Sequence, residues 1–281
     1  MRPMRRFSQL LLLLCLGALA PKALAAPLEG SGIGLPHDAS ANGHLIDTLI
    51  NETSFFVIVM FSIVCAWILY SAFFHGKKHK AVYDHGDTFK SYRWTLFTAA
   101  AIFFVVDGKL YAASMSDLAN VFGNFPMVEA NPKSVRIEIN AHQWMWTARY
   151  AGPDGQFNTA DDIVTNNDVV VPQGAPVIFQ IASTDVIHAF NLPNFRAKVD
   201  AVPGTINRMW IEAKETGEFD IACAQHCGAN HYKMKGKLTV LPREDYDRWA
   251  SQASANSARA FDADDLDSHW GWDWAPHAAR N

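Results

Sequence analysis

Long apolar segments dominate the first part of the chain, and short alternating ones follow from residue 133. Residues 54–74 carry no charged side chain, and an uncharged helix of this length spans the roughly 30 Å hydrocarbon core of a bilayer. A buried globular helix is the alternative, but such helices seldom run so long without a polar face. Residues 94–113 form a second apolar stretch, interrupted by Asp107 and Lys109, and charges inside a span normally face protein or water. The pattern predicts a two-helix transmembrane hairpin.

The first residues resemble a targeting segment. Arginines within the first six residues precede an apolar run at 10–20, and the small-residue sequence Ala-Leu-Ala follows at 23–25. This arrangement is typical of a secretory signal peptide, here residues 1–25, with cleavage after Ala25 or Ala26. The apolar run is short for a bilayer, which disfavours a transmembrane helix at this position.

The distribution of basic residues predicts the orientation of the hairpin. The connection 75–93 contains five lysines and arginines, whereas the flanking segments 26–53 and 114–132 contain none. The positive-inside rule therefore places the connection in the cytoplasm and the large domain outside. We expect a multi-pass protein of a bacterial-type inner membrane, with its large domain on the periplasmic side.

Beyond residue 133 the pattern changes to strand-sized stretches separated by Gly, Pro, Asn and Asp. These stretches are 135–139, 169–171, 177–181, 208–211, 218–222 and 237–241. Evenly spaced strands without crossover helices predict an all-β sandwich or barrel of about 110 residues. We assign residues 114–132 to a linker, 133–242 to the β domain, 243–251 to a short helix and 243–281 as a whole to an acidic tail.

One segment of the β domain is rich in soft metal ligands. Cys223, Cys227, His231 and Met234 lie within twelve residues, and thiolate, imidazole and thioether ligands select copper over hard cations. A mononuclear blue-copper site uses a single cysteine, whereas two cysteines four residues apart allow both sulfurs to bridge two copper ions. In an oxidising compartment a disulfide is the alternative.

A binuclear site needs a second imidazole. His188 lies 35 residues before Cys223, at the end of a strand-like run and before a Pro-containing turn. A single histidine is more often an ordinary polar residue than a ligand. Its position is nevertheless the one that a ligand mounted on a loop of a β-sandwich requires.

The pattern His-x34-Cys-x3-Cys-x3-His-x2-Met resembles the binuclear CuA domain of cytochrome c oxidase subunit II. The blocks 142–146 (His-Gln-Trp-Met-Trp) and 198–204 (Lys-Val-Asp-Ala-Val-Pro-Gly) agree with this family. The resemblance extends over the mature chain up to about Arg248 and includes the transmembrane hairpin. It implies a cupredoxin fold, a Greek-key β-sandwich or barrel, for the exported domain.

The resemblance also implies the ligands and the function. One copper ion would be held by His188 and Met234, the other by His231 and the carbonyl of Gln225, with the sulfurs of Cys223 and Cys227 as bridges. A cytochrome c would supply electrons, which pass to the haem of oxidase subunit I for reduction of oxygen to water coupled to proton translocation. The chain is then an enzyme only within its complex, with other oxidase subunits and the membrane as partners and no role for nucleic acid.

Trp144 is implied by the resemblance to be the surface aromatic residue that receives the electron. Trp146, two residues later, fits a core position equally well, because alternate residues of a strand face the core. From Lys133 onward the chain has 19 acidic and 14 basic residues, and a net negative domain attracts a basic cytochrome. Lysines at 233, 235 and 237 make the surface beside the copper ligands mixed in charge.

Two positions depart from the family pattern. Family members usually carry Glu at the position of Gln225, where its carboxylate reaches a magnesium ion shared with subunit I. Gln225 retains the carbonyl ligand for copper but lacks that charge, which argues against the magnesium ion. Ser91 occupies a position where many members have a Glu at a proton-uptake site.

The segment 152–163 lies outside the common pattern and resembles the calcium loop of secretion-system pseudopilins. Asp154, Asp161 and Asp162, with a glycine turn, offer the hard oxygen ligands that calcium prefers. The alternative is an ordinary acidic hairpin loop.

Two other functions share some of these features. A membrane-anchored copper-delivery or thiol-redox protein also has Cys-x3-Cys and a distant histidine, but its thioredoxin-like fold places that histidine after the cysteines. A quinol oxidase subunit II keeps the fold without the copper ligands. All six ligand positions are filled here, which favours the cytochrome c oxidase subunit.

Overall fold

The computed structural model describes residues 35–76, 80 and 82–260. The predicted signal peptide, most of the acidic tail, and Lys77 and Lys78 of the connection lie outside the described residues. The described chain forms two compact units. One comprises residues 45–123, and the other comprises residues 35–44 together with 124–260.

The first unit consists of two long helical runs. Helix α1 (Gly43–Phe74) contains the predicted span 54–74 and begins upstream of it. The second run consists of α2 (Phe89–Ile102), a π-helical turn, α3 (Gly108–Asp117) and a second π-helical turn. The short helix α4 (Phe125–Glu129) follows and belongs to the second unit. Both runs are long and apolar enough to cross a membrane. Lys109, one of the charges that interrupt the second predicted span, donates from Nζ to Oε1 of Glu52 at 2.9 Å.

The second unit is a sandwich of two five-stranded sheets, which confirms the predicted fold class. Its strands are β1 (Val135–His142), β2 (Met145–Tyr150), β3 (Ile163–Asn166), β4 (Asp168–Pro172), β5 (Pro176–Ser183), β6 (His188–Leu192), β7 (Ala197–Ala201), β8 (Asn207–Glu212), β9 (Gly217–Cys223) and β10 (Lys235–Leu241). The first sheet has the order β3-β2-β1-β5-β8, and the second has the order β4-β10-β9-β6-β7. In each sheet one pair is parallel, β1 with β5 and β10 with β4.

The core lies between the two sheets and follows the period of two along each strand. Ile137 and Ile139 of β1 face it with Phe179 of β5, Phe190 of β6 and Ile221 of β9, and all are fully buried. Alternate residues of a strand point to opposite faces, so one apolar residue in two is enough to build this layer. Trp146 is also fully buried in it, and it therefore occupies a core position.

The segment before α1 closes one edge of the sandwich. Ala41 donates its N–H to the carbonyl of Glu212 at 2.9 Å, and Lys214 donates to the carbonyl of Ala39 at 2.9 Å. Ala39 is fully buried. The segment pairs antiparallel beyond β8, the last strand of its sheet, and such pairing protects an exposed strand edge from other chains. The hydroxyl of Ser40 then accepts the N–H of Gly43 at the start of α1.

The outer face of the first sheet carries a buried ionic network. Glu138 on β1 and Arg149 on β2 point away from the core, yet both are almost fully buried. Arg149 donates from Nε to Glu138 at 2.7 Å and from Nη1 to Asn158 at 2.5 Å. Asp162 lies 3.9 Å from the same guanidinium. The acidic loop 152–162 therefore covers this face and is fastened to it through Arg149.

Helix α5 (Arg243–Ala260) extends well beyond the predicted short helix 243–251. The rings of Trp249 and Tyr150 are in edge contact at 5.3 Å, and Ser254 donates to the carbonyl of Asp161 at 2.9 Å. The helix packs one face on the sandwich, with Tyr246, Trp249, Ala250 and Ala253 at helical spacing on that face, and this packing stabilises it beyond residue 251.

We predict that Arg149→Leu lowers the free energy of unfolding of the sandwich by about 3–5 kcal/mol, because it leaves Glu138 and Asp162 buried without a cation. The measurement is thermal and denaturant unfolding of the full-length chain in detergent. Arg243→Leu is the matched control, since its ion pair with Asp247 is exposed and pairs of that kind contribute at most about 1 kcal/mol. Equal losses in the two variants would show that the buried network is not a stabilising element.

Candidate metal centre

Three neighbouring strands bring the predicted ligands to one end of the sandwich. His188 is the first residue of β6, Cys223 is the last residue of β9, and β10 begins directly after Met234. In the pairing of β6 with β9, Phe190 lies opposite Cys223. His188 and the loop between β9 and β10 therefore meet at the same edge, although 35 residues separate His188 from Cys223.

The two cysteines are adjacent but not bonded to each other. Their Sγ atoms lie 3.7 Å apart, whereas a disulfide bond is about 2.05 Å long, and both cysteines are free. Two sulfurs bound to the same metal ion at about 2.3 Å each are separated by at most about 4.6 Å. The observed separation fits a pair of bridging thiolates and disfavours the structural disulfide that the sequence left open.

The remaining ligand groups surround the two sulfurs. Nδ1 of His188 lies 3.1 Å from Sδ of Met234 and 4.0 Å from Sγ of Cys223. Sγ of Cys227 lies 3.6 Å from Nδ1 of His231 and 3.7 Å from Sδ of Met234. The carbonyl oxygen of Gln225 lies 3.2 Å from Sγ of Cys223. The structure thus brings together all six groups that the sequence singled out for copper.

Asp185 fixes the orientation of the His188 ring. Its Oδ1 bonds to Nε2 of His188 at 2.9 Å, so that Nδ1 faces the sulfur atoms. Histidines that ligate metals generally donate their second ring nitrogen to a carboxylate or carbonyl in this way. Burial alone would raise the pKa of the Asp185 carboxyl, but hydrogen bonds from His188 and from the N–H groups of Gln143 and Val186 lower it. Asp185 is therefore an anion beside the sulfurs.

The charge distribution of the cluster calls for a cation. Burial, the neighbouring Cys223 and the charge of Asp185 together raise the pKa of Cys227 to about 11, and burial is the largest of these causes. Two thiolates beside a carboxylate repel one another unless positive charge is present. A soft cation bound by both sulfurs would remove that penalty. Among the described residues, His188, Cys223 and Cys227 are the one group of three or more potential His, Cys, Asp or Glu ligands close enough to share an ion.

The turn between β1 and β2 lies at the same end. Trp144 within it is half-buried and packs against the core, whereas the ring of Trp146 contacts Phe190 at 5.1 Å and lies 6.1 Å from His188. Gln143, before Trp144, donates its N–H to Asp185 at 2.6 Å and its side-chain amide to the carbonyl of Cys227 at 2.8 Å. The sequence indicated neither Gln143 nor Asp185 as a supporting residue. The sequence held one signal for each of them: Gln143 is adjacent to Trp144, and Asp185 lies three residues before His188.

The acidic loop does not gather its three carboxylates. Asp162 accepts the N–H of Asn158 at 2.7 Å and lies near Arg149, while Asp161 accepts the hydroxyl of Thr159 at 2.8 Å. Asp154 accepts the N–H of Gln156. Burial raises the pKa of Asp162, and hydrogen bonds from Asn158 and the charge of Arg149 oppose that rise. Each of the three carboxylates already accepts a hydrogen bond from another residue of the loop. The calcium site therefore stays a prediction of the sequence.

Comparisons with known proteins agree with this geometry. The family model described as cytochrome c oxidase subunit II, periplasmic domain, matches residues 135–239. The alternative cytochrome c oxidase subunit 2 of Bradyrhizobium diazoefficiens is 32% identical over 76% of this chain and 82% of that protein. The cytochrome c oxidase subunit 2 of Alkalihalophilus pseudofirmus is 30% identical over 61% of this chain and 46% of that protein.

Among solved structures, the periplasmic domain of subunit II of the cytochrome oxidase of Bradyrhizobium japonicum is similar, with 30% identity and a TM-score of 0.40. That alignment covers 44% of this chain and 96% of the solved domain. The resemblance found in the sequence is confirmed by the match to the Bradyrhizobium diazoefficiens subunit, which extends over most of both chains. The chain belongs to the cytochrome c oxidase subunit II family, and it is therefore one subunit of an oxidase complex.

Proposed function

We propose that this chain is the electron-accepting subunit of its oxidase, which takes electrons from a cytochrome c at a binuclear copper centre. The electrons then pass to haem in the catalytic subunit, where oxygen is reduced to water and protons are translocated. The observation that carries this proposal is the convergence of six ligand groups at one end of the sandwich. They are His188, Cys223, Gln225, Cys227, His231 and Met234.

The chain's own residues supply a complete and asymmetric ligand set. His188 and Met234 would hold one copper ion, His231 with the carbonyl of Gln225 would hold the other, and the sulfurs of Cys223 and Cys227 would be shared by both. When bound, a pair of coppers that shares two thiolates delocalises one electron, so that little rearrangement accompanies the change of redox state. Strands β6, β9 and β10 fix both ends of the ligand loop, and Asp185 fixes the ring of His188, so the protein adds little motion of its own.

The membrane arrangement proposed for the chain follows its charge distribution. Residues 54–74 and 94–113 cross a bacterial-type inner membrane, residues 75–93 lie in the cytoplasm, and residues 133–242 form the periplasmic domain. The two candidate spans and the match of a periplasmic-domain family model to residues 135–239 support this arrangement. Residues 1–25 would be the signal that directs export.

The surface around the ligand loop supports docking of a protein that presents an apolar patch. Val186 and Ile187, next to Asp185, are partly exposed, and Tyr232, next to His231, is 69% exposed. Exposed apolar side chains beside a candidate metal centre are suited to an interaction surface. The negative charge of the domain as a whole would steer a basic cytochrome towards it, whereas Lys233 and Lys235 make the immediate contact surface mixed.

A magnesium ion shared with subunit I is not part of the proposal. The side chain of Gln225 is exposed and carries a neutral amide in place of the carboxylate that such an ion would require. Its backbone carbonyl, the group that faces Cys223, is unaffected by this difference.

We predict that the full-length chain, loaded with copper in detergent, binds two copper ions and gives a mixed-valence signal with hyperfine coupling to both. Cys227→Ser should abolish that signal, because a single bridging sulfur does not hold the pair. Copper analysis and electron paramagnetic resonance provide the measurement. Cys65→Ser is the control, since Cys65 lies in α1 and should leave the signal unchanged. One copper per chain with a blue single-ion signal would contradict the proposal.

We predict that Trp144→Ala slows oxidation of reduced cytochrome c by roughly a hundredfold or more at saturating donor, while the copper signal is unchanged. The reason is the position of Trp144, half-buried beside the ligand loop. Stopped-flow kinetics of the assembled oxidase measure the rate. Trp249→Ala removes another half-buried indole, one that packs on Tyr150, and should leave the rate as it is. An unchanged rate in Trp144→Ala would remove the electron-uptake role from this residue.

The sequence also predicts that calcium, bound by Asp154, Asp161 and Asp162, raises the melting temperature of the domain by mass action. Binding would have to draw Asp162 away from Arg149. Calorimetry of the copper-loaded chain with calcium and with a calcium-selective chelator tests this prediction, and Asp154→Asn is the matched variant. Identical melting curves would leave residues 152–163 as an acidic loop held by Arg149.

A further inference from the structure

Gln143 lies between His188 and the loop that carries the two cysteines. Its backbone N–H donates to Oδ2 of Asp185 at 2.6 Å, and the other oxygen of that carboxylate holds Nε2 of His188. Its side-chain amide donates to the carbonyl of Cys227 at 2.8 Å. One residue is therefore bonded both to the group that orients His188 and to the loop that carries the cysteines.

Gly228 leaves the space that the turn between β1 and β2 occupies. A Cβ atom at Gly228 would lie 2.8 Å from Nε2 of Gln143 and 3.4 Å from Cζ2 and Nε1 of Trp144. The φ angle of Gly228 is +120°, a conformation that favours glycine. The indole of Trp144 thus lies directly against the backbone of the ligand loop, and a Cβ at position 228 would displace the amide of Gln143.

The indole itself has no polar anchor. Nε1 of Trp144 is buried and makes no hydrogen bond within the described part of the chain. Its orientation therefore depends on packing and on the residues that fix the neighbouring backbone. Gln143 is the adjacent residue, and its two hydrogen bonds fix that backbone to Asp185 and to Cys227.

We propose that Gln143 is a positioning residue for electron uptake. The hydrogen bond from its side-chain amide to the carbonyl of Cys227 holds the ring of Trp144 against the ligand loop, in the gap that Gly228 provides. This inference rests on the proposed function, in which the electron arrives through Trp144. A shift of about 1 Å in a reacting group can lower a rate roughly a hundredfold, so a residue that fixes the ring also controls the rate.

The kinetic test uses the assembled oxidase with Gln143→Leu, which keeps the volume of the side chain but removes the amide donor. We expect the rate at saturating reduced cytochrome c to fall roughly tenfold to a hundredfold, with an unchanged KM and an unchanged copper signal. In a double-mutant cycle, Gln143→Leu should have no further effect when Trp144 is already alanine. An equal slowing in both backgrounds, or an altered copper signal, would mean that Gln143 acts on the copper loop itself, which overturns the proposal.

A second measurement needs no electron donor. In the full-length chain labelled with 5-fluorotryptophan, the resonance of Trp144 is the one lost in Trp144→Phe. We expect this resonance to move in Gln143→Leu and in Gly228→Ala. It should not move in Gly174→Ala, a glycine that also has a positive φ but meets no atom within 4 Å of an added Cβ.

The two measurements separate the inference from the proposed function. If the Trp144 resonance does not move in Gln143→Leu and Gly228→Ala, Gln143 does not position the ring of Trp144, whatever donor reduces the protein. A moved resonance combined with a failure of cytochrome c to reduce the wild type supports the seating and refutes the electron-uptake role of the site.

Discussion

The pairing of β6 with β9 brings two distant parts of the chain to one site. Because Phe190 lies opposite Cys223, His188 reaches the cysteine loop, and the same core contact that fixes Phe190 against Trp146 and Phe179 also fixes the start of β6. A slip of this pairing by one residue would turn His188 away from the sulfurs, since successive side chains point to opposite faces. The ligand geometry therefore depends on ordinary core packing, and it needs no special backbone at the histidine.

The electrostatics of the site follow from that geometry. The strands bring two thiols, a buried imidazole and the carboxylate of Asp185 within a few ångströms, and burial disfavours charge on Cys227. Without a cation this arrangement opposes ionisation of the sulfurs, and a cation bound by both sulfurs would remove that opposition. The same residues thus explain why the end of the sandwich is preorganised and why it calls for a soft metal.

The sequence predicted the sandwich from local alternation, whereas the resemblance to subunit II named the six candidate copper ligands, and the structure brings those six groups together. Residues 135–139 and 177–181 alternate cleanly, and the cysteine loop has its ligands at short, fixed spacings. Strand β2 was missed since Arg149, a buried cation on the outer face, hides the alternation, and β6 was missed because it is short and lies next to Pro193. The contacts of Gln143 with Asp185 and Cys227 join residues 42 and 84 positions apart, and no local pattern encodes such distances.

The candidate metal centre lies at one end of the sandwich, and the acidic loop and α5 contact the other end. The register of β1 with β2 pairs His142 with Met145 at the ligand end and Ile137 with Tyr150 at the other. The acidic loop 152–162 leaves β2 after Tyr150, and α5 packs on that same tyrosine, so both belong to the end away from the candidate metal centre. Changes in the loop or in its network with Arg149 therefore act on the stability of the domain. Changes in the turn at Gln143 and Trp144 act at the ligand end, because that turn is joined to the loop between β9 and β10 by a hydrogen bond to the carbonyl of Cys227.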